Sequence, residues 1–360
     1  MSETMRAIIW QGPGRVALGR RPVPRPGPGQ AFIEVRYNGL CATDYPIVEG
    51  QVQGSFPGMI LGHEPVGPVL EVGAGVTGMS VGQRVVLDTM LACGTCRACR
   101  WGHPELCAHS DEIGFSVDGN WTDWAVLPAV KLKPIPEALG DLEATMVEAL
   151  TCQMGGVEAL DVRYGETAAI IGSGWSAHAV IKLLRLKGAG HVAVAMRPYP
   201  ERLALARRYG AGCVEGTPDA LRGHPQVQAD EGFDVTIDAV GTPESARAAI
   251  GLARRGGRVL LYGLRSAKMD DFPLGETIFR NLTLYGRTSA PWMWEPAIDL
   301  VARGAVELRS MVGEVIDLDD LPAHLNSPRQ PGGPLKRVVR VRGGSPHVHS
   351  AEEEANYHGA

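Results

Sequence analysis

Four of the chain's seven cysteines fall within fifteen residues, in the run Cys93-Gly-Thr-Cys96-Arg-Ala-Cys99-Arg-Trp-Gly-His-Pro-Glu-Leu-Cys107. Thiolates at this spacing can wrap one tetrahedral Zn²⁺, because the two ligands of a Cys-x2-Cys pair reach the same ion from one tight turn. Four protein ligands leave no position for a substrate, so such a site is structural. Its binding free energy, on the order of 10–16 kcal/mol in zinc-finger peptides, goes into folding the lobe 93–107. An iron–sulfur cluster takes similarly crowded cysteines and is the competing reading. Thiols without a shared partner are the bland one. Disulfides belong to small secreted domains, whereas this chain has 360 residues and opens Met-Ser-Glu-Thr-Met-Arg without an apolar signal core.

A second group of metal-ligating types is scattered: Cys41-Ala-Thr43-Asp44, Gly62-His63-Glu64 and Met146-Val-Glu148-Ala-Leu-Thr-Cys152. A Cys, a His and a carboxylate drawn from distant segments make an open zinc site, with a coordination position left for chemistry. Singly each is weak, since a lone Cys is usually a small buried hydrophobe.

The third feature binds phosphate. Thr167-Ala-Ala-Ile-Ile-Gly172-Ser173-Gly174-Trp175-Ser176-Ala177 is a strand running into a helix through G-x-G-x-x-A. Gly172 permits the tight turn, Gly174 lets backbone approach a pyrophosphate, and Ala177 allows close helix–strand packing at a helix N-terminus that favours anions. At the end of the next strand the chain reads Ala195-Met196-Arg197-Pro-Tyr-Pro-Glu-Arg202, without the acid that binds both ribose hydroxyls of NAD. Arg197 can pair with a 2′-phosphate, so NADP is expected over NAD. The alternative leaves Arg197 solvated and lets Glu201 reach the ribose. Arg202, Val240 and Gly263 complete the candidate cofactor set.

These groups need two kinds of scaffold. Up to about residue 152 the chain offers short β-like runs broken by Gly and Pro, such as Ala31–Arg36, Pro68–Val72 and Gln83–Leu87, and predicts an irregular β-rich catalytic domain, 1–152. Over 153–290, candidate strands Thr167–Ile171, His191–Ala195, Cys213–Glu215, Asp234–Asp238, Arg258–Tyr262 and Leu282–Tyr285 alternate with helical stretches such as Ser176–Lys187 and Pro200–Tyr209. That pattern predicts an α/β Rossmann domain, a doubly wound parallel sheet of six strands. Residues 291–343, with a helix-like Trp294–Arg303 and a strand-like Lys336–Val341, are expected to return to the first domain. The polar tail 344–360 reads as disordered. A net charge of −5 gives no general attraction to nucleic acid or an anionic membrane, and no apolar run spans a bilayer. A cytoplasmic protein is expected.

Together, Cys41-x-Thr-Asp, Gly62-His-Glu, Gly82-Gln-Arg-Val, the cysteine lobe, Gly172-x-Gly-x-x-Ala and Gly256-Gly-Arg-Val resemble the zinc-dependent medium-chain alcohol dehydrogenases, from Met5 to Val341. The resemblance implies a GroES-like catalytic domain and two zinc ions per chain, one catalytic and one structural. It implies Cys41 and His63 as catalytic zinc ligands, Glu148 at the third-ligand position, Glu64 as a ligand or just behind, and Thr43 as the hydroxyl that passes the substrate proton outward. It also implies hydride exchange between an alcohol or ketone substrate and the nicotinamide, in a homodimer or homotetramer. A carboxylate at the third-ligand position and the stretch Glu112-Ile-Gly-Phe-Ser-Val-Asp-Gly are similar to the polyol, threonine and cyclitol dehydrogenase branch. That points to a secondary alcohol on a polyol, sugar, cyclitol or aminocyclitol. Relatives often carry His two residues after the Asp, where this chain has Pro46, and Glu-Pro where it has Glu148-Ala149. Cys152 is a rival ligand, and Trp292 and Trp294 either flank the cleft or pack between domains. The competing functions are an NADPH-dependent reductase of C=C or C=N bonds and a non-catalytic cofactor-binding protein.

One charge-assisted contact of about 1.4 kcal/mol is a factor of about ten. The expected ratio of kcat/KM for NADP over NAD is therefore at least about ten, and a clear preference for NAD overturns the assignment of Arg197.

Overall fold

A computed structural model of the chain describes residues 3–223, 232–263, 268–327 and 332–342. The tail expected to be disordered lies outside them.

The first part builds ten strands: β1 (Thr4–Gly12), β2 (Arg15–Pro22), β3 (Gln30–Glu34), β4 (Tyr37–Leu40), β5 (Glu64–Val72), β6 (Arg84–Leu87), β7 (Met90–Leu91), β8 (Asp111–Glu112), β9 (Trp124–Pro128) and β10 (Leu132–Pro134). β1 and β2 form an antiparallel pair, as do β7 and β8. The main sheet runs β10-β6-β5-β4, with β3 bonded to β5 and β9. Its apolar side packs Ile8, Ile33, Leu61, Val85 and Leu127 around the fully buried Trp121. Glycines let segments pass close together. A Cβ on Gly67 would lie 1.9 Å from the Glu34 carbonyl oxygen, so only glycine lets β5 cross there.

The second part forms six parallel strands, β11 (Thr167–Ile171), β12 (His191–Ala195), β13 (Cys213–Glu215), β14 (Phe233–Asp238), β15 (Ala253–Leu261) and β16 (Thr283–Gly286), in the order β13-β12-β11-β14-β15-β16. Period-two alternation feeds a core on each face. Ala168, Ile170, Val192 and Val194 join one cluster with the helices Val147–Ala159, Trp175–Leu186 and Trp294–Ala302; Ala169, Ile171, Ala193 and Ala195 join the other, with the helix Pro243–Leu252. The strand order reverses between β11 and β14, where open α/β sheets bind ligands. β15 begins five residues before the expected Arg258. Its pairing with β14 shifts register between Phe233 and Val235, opposite the Gly256-Gly257 turn, so a glycine pair that reads as a breaker sits inside a strand. β16 and β13 are the two edges of this sheet.

The chain then returns. β17 (Val312–Asp317) and β18 (Lys336–Arg340) pair in parallel, and β18 pairs antiparallel with β4, extending the first sheet. No helix among the described residues is long and apolar enough to cross a membrane.

Gly67→Ala is expected to lose at least about 3 kcal/mol in urea unfolding, because backbone must move. Gly286→Ala, whose Cβ would meet nothing within 4 Å, serves as the control. Equal stabilities for the two variants refute the close crossing.

Candidate active site and metal centres

The lobe 93–107 has little regular structure beyond the helix Arg97–Arg100 and the turn Pro104–Leu106, which aim Cys96, Cys99 and Cys107 inward. The sulfurs of Cys93, Cys96, Cys99 and Cys107 all lie within 4.8 Å of one another. Cys96 Sγ is 3.5 Å from Cys99 Sγ and 3.8 Å from Cys107 Sγ. A tetrahedral zinc with bonds of about 2.3 Å separates its sulfurs by about 3.8 Å, so the cage fits the ion. Backbone N–H groups donate into it, from Cys96 to Cys93 Sγ and from Cys93 to Cys107 Sγ, each at 3.3 Å. Backbone hydrogen bonds from Thr95 and Cys96 hold the Cys93 thiol down to about 6, and one from the Cys99 backbone lowers Cys96. Burial, then the neighbouring Cys96 sulfur, pushes Cys99 up to about 12. Crowded thiolates repel, and a bound cation relieves that.

The second cluster is made by strand register. β4 and β5 pair with Gly39 opposite Glu64, which places Cys41, just past β4, beside His63, just before β5. Ligand atoms of Cys41, His63 and Glu64 lie within 4.8 Å of one another. Gly39 must be glycine: a Cβ there would sit 1.6 Å from Glu64 Oε2. Gly62 has φ +93°, and a Cβ on it would strike the Trp121 indole at 2.5 Å. The Asp44 carboxylate accepts the Cys41 N–H at 2.8 Å, and its other oxygen lies 3.2 Å from His63 Nδ1. That contact leaves Nε2 of the ring for a ligand. Burial opposes a charge on His63, but Asp44 and Cys41 outweigh it and raise its pKa well above the ordinary value.

Glu64 is held from behind. Lys336 Nζ is 2.7 Å from its Oε1 and also bonds Oε2, and both side chains are buried. The Glu64 N–H donates to Asn38 Oδ1 at 3.0 Å. Burial pulls the Lys336 pKa down, yet Glu64 and Cys41 leave it raised overall. Glu148, at the start of the helix Val147–Ala159, lies outside the 4.8 Å set. Burial lifts its carboxyl to about 7, with His63 opposing and Glu64 and Glu112 adding. Cys152, one turn on, brings Sγ to 3.7 Å from Glu148 Oε1. Thr43 caps the helix Asp44–Val48 without spending its hydroxyl on the cap, and Oγ1 is buried and unpartnered. Tyr45 turns away to His324 Nε2 at 3.1 Å.

A cavity of about 100 Å³ adjoins Glu148 and Cys152, walled by Thr89, Glu112 and Trp294 among others. Trp294 is thus both cavity wall and core, whereas Trp292 is 42% exposed and donates to Glu158 at 2.7 Å.

The dinucleotide fingerprint lies at the switch point. Gly172 has φ +146°, with Ala239 and Ala177 closing on it. Gly174 faces open space and caps the helix Trp175–Leu186 with no side-chain bond, so the first-turn N–H groups are left for an anion. Trp175 and Met196 point into the core, which leaves only their backbone to a cofactor. Ser176 receives the Gln153 amide at 3.3 Å. A Cβ on Gly263 would lie 2.1 Å from Gly241 N, so Val240 and Gly263 are in close approach at the ends of β14 and β15. Arg197 is exposed, and its side chain bonds no described residue. Arg202 is engaged: it donates to the Ser173 carbonyl at 2.9 Å and to the Gly333 carbonyl, with its guanidinium 4.9 Å from the Tyr199 ring centroid. It clasps the fingerprint loop to the returning chain.

Asp44, Lys336, Asp88 and Glu112 escaped the reading of site residues. A lysine opening the strand-like run Lys-Arg-Val-Val-Arg is the sequence signal for Lys336.

Residues 27–137 match the alcohol dehydrogenase GroES-like domain, and residues 177–303 match the zinc-binding dehydrogenase family. The chain is 33% identical over 301 residues to an L-threonine 3-dehydrogenase of Pyrococcus horikoshii, covering 82% of this chain and 86% of that one. It is 27% identical to a sorbitol dehydrogenase of Halalkalibacterium halodurans over 86% of this chain and 91% of that one. A zinc-binding dehydrogenase of Sinorhizobium meliloti, solved bound to NADP, superposes with a TM-score of 0.86 at 30% identity, covering 94% of this chain and all of that one. The chain belongs to the zinc-dependent medium-chain alcohol dehydrogenase family. It is an oxidoreductase whose chemistry is NAD(P)-linked alcohol oxidoreduction, with zinc and NAD(P) as its cofactors.

Lys336→Met leaves Glu64 buried without its cation. A loss of about 3–5 kcal/mol is expected in urea unfolding. A loss under about 1 kcal/mol would show that the pair does not hold the site together.

Proposed function

We propose that the protein interconverts a secondary alcohol and a ketone by hydride transfer with NADP, on a polyol, sugar, cyclitol or aminocyclitol. The observation that carries this reading is the convergence of Cys41, His63 and Glu64 within 4.8 Å, beside a cavity that holds Glu148. Zinc at this centre supplies Lewis acidity toward the alcohol oxygen, and the nicotinamide supplies the two-electron acceptor. Cys41, His63 and a carboxylate, Glu148 or Glu64, would hold the catalytic ion; Cys93, Cys96, Cys99 and Cys107 would hold a structural second.

The chain's own groups do the rest. The Asp44 carboxylate, 3.2 Å from His63 Nδ1, favours Nε2 as the ligand atom. Lys336 neutralises Glu64 and keeps a second uncompensated carboxylate from the centre. Thr43 Oγ1, buried and free of its cap, accepts the substrate hydroxyl proton and passes it outward. Trp294 walls the cavity against water. Gly172 through Ala177 receive the pyrophosphate, with Val240 and Gly263 beside the cofactor, and Arg197 meets the 2′-phosphate. Arg202 serves this site as a clasp on Ser173.

Cys41→Ser is expected to lower kcat at least about 100-fold, or about 2.7 kcal/mol of barrier, while NADPH binding measured by fluorescence is kept. Metal analysis should fall from two ions to one. Full turnover in this variant would favour a C=C or C=N reductase, and NADPH binding without turnover in wild type would favour a binding protein.

A further inference from the structure

The cavity beside the metal cluster has an unbalanced charge. Three carboxylates line it, those of Asp88, Glu112 and Glu148, and among its described lining residues there is no Lys, Arg or His. Two of the acids near the centre are matched. Asp88 bonds Lys131 Nζ at 2.9 Å, and Glu64, behind the cavity, is paired with Lys336. Glu148 interacts electrostatically with His63 and is one of the two carboxylates proposed above for the catalytic metal. Glu112 is left over. Its carboxylate accepts one hydroxyl, Thr89 Oγ1 at 3.1 Å, and has no ion-pair partner among the described residues. β7 and β8 fix it in place by pairing Met90 with Glu112. The buried Trp294 supplies an aromatic wall to the same cavity.

An unmatched acid in a partly buried cavity is costly unless something cationic or strongly hydrogen-bonding completes it. A phosphate or carboxylate on the substrate would meet Glu112 and Glu148 with no counter-charge. A neutral hydroxyl satisfies a carboxylate, whereas an ammonium also neutralises it, and an indole wall favours the same cation. We propose that Glu112 is a specificity residue that binds an ammonium group next to the reacting carbinol, so that the substrate is an amine-bearing secondary alcohol rather than a phosphorylated or carboxylated one. This rests on the functional reading above and narrows its substrate class. Burial also pushes the Glu112 carboxyl above its ordinary value, with His63 opposing, and a bound cation reverses that rise.

The test uses the zinc-loaded full chain with a matched pair, trans-2-aminocyclohexanol and trans-cyclohexane-1,2-diol. Binding to the enzyme–NADPH complex is measured by cofactor fluorescence, and turnover with NADP alongside. The amine should bind at least about tenfold tighter than the diol. Glu112→Gln, which keeps the shape, should lower the amine-to-diol ratio at least about tenfold, and Glu112→Asp should recover part of it. A ratio near one in wild type, or one unchanged in E112Q, overturns the proposal; if the diol is still oxidised, the functional reading stands. Failure to bind or oxidise either compound overturns the amine proposal, and failure extending to every polyol and cyclitol overturns the functional reading as well.

Discussion

The Glu64–Lys336 pair is the constraint around which the site is arranged. A carboxylate and an ammonium this deeply buried are tolerable only together, since removing either leaves a bare charge in a medium that cannot solvate it. Their pairing therefore fixes more than two side chains. Lys336 opens β18, and β18 pairs with β4 so that Arg337 stands opposite Leu40, which places Lys336 alongside Cys41. The last strand of the chain must cross back from the parallel sheet to close the first one. The metal-facing end of β4 is thus held on both edges, by β5 with its Glu64 and by β18 with its Lys336. Gly39, where any side chain would displace the Glu64 carboxylate, is the steric counterpart of the same constraint.

What was legible in the sequence was local. Four cysteines in one short loop, and a glycine fingerprint between a strand and a helix, carry their meaning within about fifteen residues. The lobe and the turn at Gly172 are where those patterns place them. Strands β11, β12 and β13 have the expected ends. The less legible features depend on partners far along the chain. Asp44 reads as a helix-opening acid, and only the β4–β5 register shows that it faces His63. Lys336 lies 272 residues from Glu64, and no window along the sequence joins them. Arg202 belongs to the candidate cofactor set from its place after β12. Its donors go instead to the carbonyls of Ser173 and Gly333, the latter contributed by the returning segment.

That clasp bears on how the two halves cooperate. The fingerprint loop is stiffened from below by Gly172 packed against Ala239 and Ala177, and from the side by Arg202. Arg202 also reaches Gly333, three residues before Lys336. A short stretch of returning chain therefore touches the cofactor loop at one end and braces the metal-facing carboxylate at the other. Two sites on different sheets are linked by residues 333–336, beside the buried cluster in which Val66 and Val86 join Ile170 and Val192. An error of an ångström in the approach of carbinol and nicotinamide is costly in rate, so such a brace has a physical use.

The cavity walls divide differently. Glu112 comes from the short β7–β8 ribbon and Thr89 from just before it, Glu148 and Cys152 from a helix, and Trp294 from the start of the returning chain. None of them lies in the two large sheets. Apart from Glu148, the residues that wall the cavity are distinct from Cys41, His63 and Glu64. A change at position 112 alters the charge offered to a ligand while the Cys41–His63–Glu64 geometry stays fixed by strand register. One scaffold can then serve many alcohols, and identity in the metal and phosphate motifs says little about which one. For this chain the discriminating quantity is the charge balance of the cavity. Its lining acids outnumber their paired cations by two, Glu112 and Glu148.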